Sequence, residues 1–184
     1  GFEAFENYKH SHATPWVAAY RWPILFFVAV AFWNLVGAGL FGFLINPPLA
    51  LYYMQGLNTT PLHGHTALFG VYGMLGLGLM LFCLRGLRSD AHWHTGLVRG
   101  AFWSLNIGLA LMALLTLLPL GVLQLQAAIE NGYWYARSEA FLDQPIVHLL
   151  VWLRVPGDTL FSIGAALLAI FVARLWIPAT RDNG

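Results

Sequence analysis

The chain has 184 residues, of which only 9% are Asp, Glu, Lys or Arg and 59% are hydrophobic, with a mean hydropathy of +0.66. Soluble globular proteins carry about 25% charged residues, so a water-soluble fold is excluded. The net charge of +1 gives no electrostatic footprint for nucleic acid, and the single cysteine, Cys83, excludes a disulfide within the chain.

Residues 1–20 are polar and carry neither an initiating Met nor a basic-then-apolar leader with a small-residue cleavage site. They read as an approach to a helix, which leads us to expect a fragment, a truncated reading frame or a processed subunit. No Asp, Glu, Lys or Arg occurs between Arg21 and Arg85, or between Arg99 and Glu130. A spanning helix needs roughly 20 apolar residues, and both stretches exceed that. Four spans are predicted. The first covers about 22–45 and stops at Asn46-Pro47-Pro48, because proline has no N–H to continue a helix. The second covers about 60–84, with Thr60 as N-cap and Pro61 in the first helical position. The third covers about 97–125, with a kink expected at Pro119 and Gly121. The fourth, about 146–177, is expected to be interrupted by Arg154, Pro156, Gly157 and Asp158.

With four spans, Lys9, Arg21, Arg85, Arg88, Arg99, Arg174 and Arg181 share one side, against Arg137 and Arg154 on the other. The positive-inside rule makes the first side cytoplasmic, together with both ends of the segment. The starts of spans two and four then face outwards, as does Tyr133-Trp134-Tyr135, whose aromatic rings suit a membrane–water interface.

Three His-x-His pairs occur: His10/His12, His92/His94 and His63/His65. The first two lie in polar segments and read as solvated loop histidines. His63 and His65 instead open a long charge-free helix, where an ionisable group is costly and usually has a partner or a function. A helix turns about 100° per residue, so positions two apart point to opposite faces. The pair cannot chelate one metal from a regular helix, but each ring can reach a different ligand. Two haems flanking one helix suit that spacing, since neutral imidazole is a common axial ligand of haem iron. Gly64 leaves room between the rings, and Gly70, Gly73, Gly76 and Gly78 thin the helix beyond them. The structural alternative is that both histidines bond to neighbouring helices. Asp158 has structural readings too: a favourable position near a helix N-terminus, or an i,i+4 pair with Arg154, which the intervening Pro156 makes irregular.

Several runs resemble the catalytic subunit of quinol-dependent nitric oxide reductase, a branch of the haem–copper oxidase superfamily. They are AFWNLVGAGLFGFLIN at 31–46, HGHTALFGVYGM at 63–74, FWSLNIGLALM at 102–112, GYWYAR at 132–137 and WLRVPGD at 152–158. They occur in the matching order along nearly the whole chain. The resemblance implies an all-α integral membrane protein with about four transmembrane helices, the C-terminal part of a twelve-helix core. It implies reduction of two nitric oxide molecules to nitrous oxide and water. It assigns His63 to haem b3 and His65 to haem b. It also implies a non-haem iron, whose ligands, like the second axial ligand of haem b, come from earlier helices. No Glu lies within the first three spans, so this chain alone is expected to lack a complete binuclear centre. In the same family pattern Asp158 lines the quinol site near haem b, with Arg154 and Trp152 as further candidates. A carboxylate there can hydrogen-bond a quinol hydroxyl and accept a proton as the quinol is oxidised. The expected setting is a bacterial cytoplasmic membrane, with lipid, quinol, nitric oxide and the remaining helices of the subunit as partners. An oxygen-reducing haem–copper oxidase, a transporter-like fragment with structural histidines and a non-catalytic remnant are the alternatives.

Overall fold

A computed structural model describes Glu6, residues 15–87 and residues 93–176. His10, His12, His92, Lys9, Arg88 and Arg181 lie outside the described residues. Every regular element among the described residues is helical. After the short helix Pro15–Ala19, four long helical stretches are apolar enough to cross a membrane: Arg21–Ile45, Thr59–Leu87, Thr95–Asn131 and Pro145–Trp176. We number the helices α1 (Arg21–Ile45), α2 (Pro48–Met54), α3 (Thr59–Leu87), α4 (Thr95–Asn131), α5 (Pro145–Trp152) and α6 (Arg154–Trp176). The protein is an all-α integral membrane protein.

The ends follow local chemistry. The α1 helix stops where Asn46 Nδ2 donates to the Gly42 carbonyl at 2.7 Å and Pro47 turns extended. The α3 helix begins at Thr59, one residue before the expected start, with Asn58 in the cap position. Thr60 is not the cap, because its hydroxyl turns back to accept the Gly56 N–H at 3.1 Å. The fourth span breaks at Leu153, not across 154–158. Arg154, Pro156 and Gly157 instead form the first turn of α6, and Asp158 follows directly. The first four N–H groups of a helix have no intrahelical partner, so a proline there removes nothing.

Three spans contain a π-helical stretch, namely Asn34–Phe41 in α1, His65–Gly73 in α3 and Met112–Leu117 in α4. The last runs directly into Leu118-Pro119. It takes up the backbone disturbance of the missing proline N–H, so α4 continues to Asn131 rather than ending near 125.

Lipid tails are as apolar as Leu, so packing between these helices depends on close approach and interhelical hydrogen bonds. Both occur. Phe26, Trp33, Met74, Leu81, Leu105, Leu109, Leu168 and Phe171 form the main buried cluster. Trp33 Nε1–H donates to Asn106 Oδ1 at 2.9 Å, joining α1 to α4. One close crossing is α4 on α6. A Cβ on Gly108 would lie 2.6 Å from the Phe161 backbone nitrogen, and one on Gly157 would lie 2.8 Å from that of Met112. By contrast, a Cβ on Gly64 or Gly76 would meet nothing within 4 Å. Gly64 therefore borders open space; its lack of a side chain is not what separates the two imidazoles.

Gly108→Leu is therefore expected to destabilise the fold by about 1–3 kcal/mol, the range for forcing volume into a packed contact. Gly76→Ala should stay within about 0.5 kcal/mol of the parent. Denaturant unfolding in detergent micelles measures both, and equal effects at the two positions would contradict the crossing described.

Candidate functional site

The His63/His65 pair sits near the N-terminal end of α3, where the α-helix Thr59–Gly64 passes into the π segment. His63 faces α1. Its Nδ1 lies 2.9 Å from the Gly37 carbonyl, inside the π segment of that span. A carbonyl can only accept, so Nδ1 carries the proton and Nε2 keeps its lone pair. The ring lies against Gly42, where a Cβ would stand 2.9 Å from Cε1. His65 faces the other way. Its Nδ1 donates to the Pro61 carbonyl at 2.8 Å, one turn back in its own helix, which again leaves Nε2 as the acceptor nitrogen. Thr66 is fully buried, and its hydroxyl donates to the Leu62 carbonyl at 2.7 Å.

His65 borders a cavity of about 440 Å³ between α3, α4 and α6, shared with Phe69, Met112, Arg154, Asp158 and Phe161. Arg154 Nε donates to both carboxylate oxygens of Asp158, at 3.1 and 2.9 Å. A terminal nitrogen of the same guanidinium lies 3.4 Å from His65 Nε2. The structure thus brings His65, Arg154 and Asp158 into one group, with the ion pair in regular i,i+4 helical geometry despite Pro156. His63 is held apart on the opposite side of α3. Trp152 does not join the group; it is 71% exposed at the end of α5. Among the described residues no three His, Cys, Asp or Glu side chains converge, so each imidazole stands as a single protein donor.

Two features at this end of the molecule escape sequence reasoning. Gln124 is buried on α4, and its Oε1 accepts from both the backbone N–H and the side-chain amide of Asn58, at 2.8 and 2.9 Å. Arg137 donates to the Gln55 carbonyl at 2.6 Å and lies 3.7 Å from the Tyr133 ring centroid, while the Tyr133 hydroxyl donates to the same carbonyl at 2.7 Å. Gly56 beside them has φ +69°, a conformation glycine adopts without strain. The only signal in the sequence is polar residues beside an aromatic run, and it does not name their partners.

The family model for cytochrome c and quinol oxidase polypeptide I matches residues 10–160. The chain belongs to this family. It is therefore a member of the haem–copper oxidase superfamily. It is also similar to a nitric oxide reductase subunit of Stutzerimonas stutzeri, with 29% identity over 136 residues, or 70% of this chain. The aligned part makes up 28% of that relative, so the chain spans well under half the length of the reductase protein it matches. The matched region of the oxidase family includes both histidines of α3 and the Arg154–Asp158 pair.

Arg137→Ala removes charged hydrogen bonds that are typically worth about 1.5–3 kcal/mol. Amide hydrogen exchange at residues 54–58 is expected to accelerate, with the centres of α3 and α4 unchanged. Uniform acceleration across the chain would instead show that Arg137 supports the whole fold.

Proposed function

We propose that this chain is the haem-holding part of a quinol-oxidising nitric oxide reductase, with His63 as the ligand of haem b3 and His65 as the ligand of haem b. The observation that carries the reading is the state of the two rings. Each donates Nδ1–H to a backbone carbonyl, at 2.9 and 2.8 Å. Each offers Nε2, and the two face different helices. Metal-ligating histidines are typically held in this way by their other nitrogen. The similarity to the Stutzerimonas stutzeri nitric oxide reductase supports the choice of branch.

The surroundings of the two rings differ. On the His63 side, the absence of a side chain at Gly42 leaves room for the ring. On the His65 side, the cavity adjoins Nε2. Arg154 also faces that nitrogen, but at 3.4 Å, the weak end of hydrogen bonding, whereas its bonds to Asp158 are 2.9 and 3.1 Å. Its side chain is 37% exposed, so it can yield at small cost. When bound, the haems supply electron transfer and, with a non-haem iron held by other helices of the subunit, reduction of nitric oxide to nitrous oxide.

The chain's own residues then divide the work. His63 and His65 hold two groups on opposite faces of one helix and so set their separation. Asp158 presents a carboxylate, 47% exposed and oriented by Arg154, that accepts a hydrogen bond and then a proton from a quinol hydroxyl. Arg154 keeps that carboxylate beside His65. Trp152 offers an exposed aromatic face on the preceding helix for the quinol head group. The side bearing Arg21, Arg85, Arg99 and Arg174 is cytoplasmic, in a bacterial cytoplasmic membrane. Lipid and the remaining helices of the subunit cover the rest of the apolar surface.

In the full-length protein, His65→Ala is expected to remove the low-spin b haem, and His63→Ala the high-spin one. Reduced-minus-oxidised spectra and total haem content read the result, and retention of both haems in either variant overturns the assignment. Asp158→Asn is expected to lower quinol-driven turnover about 10²-fold, the lower bound for losing a general base. Haem content and turnover with an artificial electron donor should be preserved. Unchanged quinol-driven turnover would remove Asp158 from the site.

A further inference from the structure

We propose that Gln124 is a positioning residue for the His65 imidazole, acting through the first turn of α3; this rests on the reading of His65 as a haem ligand. Gln124 is 6% exposed, and both the oxygen and the nitrogen of its carboxamide are hydrogen-bonded. Besides the two bonds that Oε1 accepts from Asn58, Nε2–H donates to the Ala136 carbonyl at 3.3 Å. One buried side chain on α4 therefore joins the start of α3 to the turn around residues 133–137.

The position of Asn58 gives these bonds their consequence. The first N–H groups of a helix have no partner within it, and unsatisfied ones are costly at membrane depth. Asn58 makes no side-chain capping bond of its own; its N–H and its amide both go to Gln124. One turn before Gln124 on the same face of α4, Gly121 admits Thr59 so closely that a Cβ would lie 2.8 Å from the Thr59 nitrogen. Two successive turns of α4 thus fix Asn58 and Thr59. The carbonyl that holds His65 Nδ1 belongs to Pro61, in this same first turn. The relay runs from α4 to Asn58 and Thr59, then to the Pro61 carbonyl, and then to the His65 ring.

His63 is held differently. Its Nδ1 partner is Gly37 on α1, outside this relay. A disturbance at Gln124 is therefore expected to reorient one imidazole and spare the other. A residue that only stabilises the fold would affect both haems alike.

The test uses the full-length, haem-loaded protein. Gln124→Leu keeps the approximate volume and loses all three hydrogen bonds. We expect Gln124→Leu to shift the EPR g values of the low-spin haem and to speed its loss about tenfold, the lower end for disturbing the support of a metal ligand. The high-spin signal should hold. If Gln124→Leu fails to assemble, Asn58→Ala decides, since it removes the side-chain bond alone and should give a smaller shift in the same direction. An unchanged low-spin signal in the deciding variant, or equal changes at both haems, overturns the proposal. His65→Ala separates the two readings. A low-spin haem that survives it defeats the ligand assignment itself. A low-spin haem lost there but unmoved by Gln124→Leu or Asn58→Ala defeats only the role of Gln124.

Discussion

An imidazole held through one nitrogen by a backbone carbonyl has its other nitrogen committed as an acceptor, and the geometry of both rings in α3 depends on that constraint. A carbonyl cannot donate, so the tautomer is settled without any ionisable partner. In a membrane helix, however, the carbonyls are normally engaged in the i→i+4 ladder. An additional bond to a ring is best placed where that ladder is altered. Both acceptors meet this condition. Gly37 lies in the π segment of α1, and Pro61 lies in the first turn of α3, at the edge of a second π segment that begins on His65. The departures from regular helix coincide with the anchoring of the histidines, as π turns often do at functional sites.

This arrangement makes the neighbouring helices part of the site. The α1 helix supplies the carbonyl under His63 and the glycine against its ring. The α4 helix does not touch either imidazole through a hydrogen bond, yet it fixes the segment from which one of them is held. It is also tied to α1 by Trp33 and Asn106 and to α6 by the crossing at Gly108 and Gly157. Because α6 carries Arg154 and Asp158, the distance from the ion pair to His65 depends on a glycine-to-backbone contact well below the usual side-chain spacing. In lipid, where apolar burial between helices adds little, such contacts and a few amide bonds carry much of the specificity.

The spans are legible in the sequence because their signal is long and physical: charge-free runs bounded by arginines and, after α1, by two prolines. The family, too, is legible, from runs spread along most of the chain. Finer features are not, for identifiable reasons. Pro156 reads as a break because proline usually is one; its place in the first turn of a new helix depends on Leu153, an ordinary residue where the chain pauses. The π segments of α1 and α3 leave no compositional trace, since no proline lies in them or directly after them; only that of α4 is marked, by Pro119. That His63 and His65 point apart follows from helical periodicity, but their anchors do not, because a backbone carbonyl has no identity in a sequence. Gln124 illustrates the same limit. A single glutamine near a helix end looks like an interfacial residue until its partners, 66 residues away, are in view. Asp158 shows the reverse case: its pairing with Arg154 is among the alternatives the spacing allows, while the third member of that group, His65, lies 89 residues from Arg154.

The two faces of α3 differ in a way that bears on how the proposed roles divide. His63 looks onto α1, which has no ionised side chain after Arg21, and the ring rests against Gly37 and Gly42. His65 looks onto a cavity with a guanidinium and a carboxylate in its wall. A quinol must leave its protons with a polar group, and of these two faces only the second provides one. On the proposed reading, the guanidinium and carboxylate on α6 therefore favour the His65 face as the quinol side.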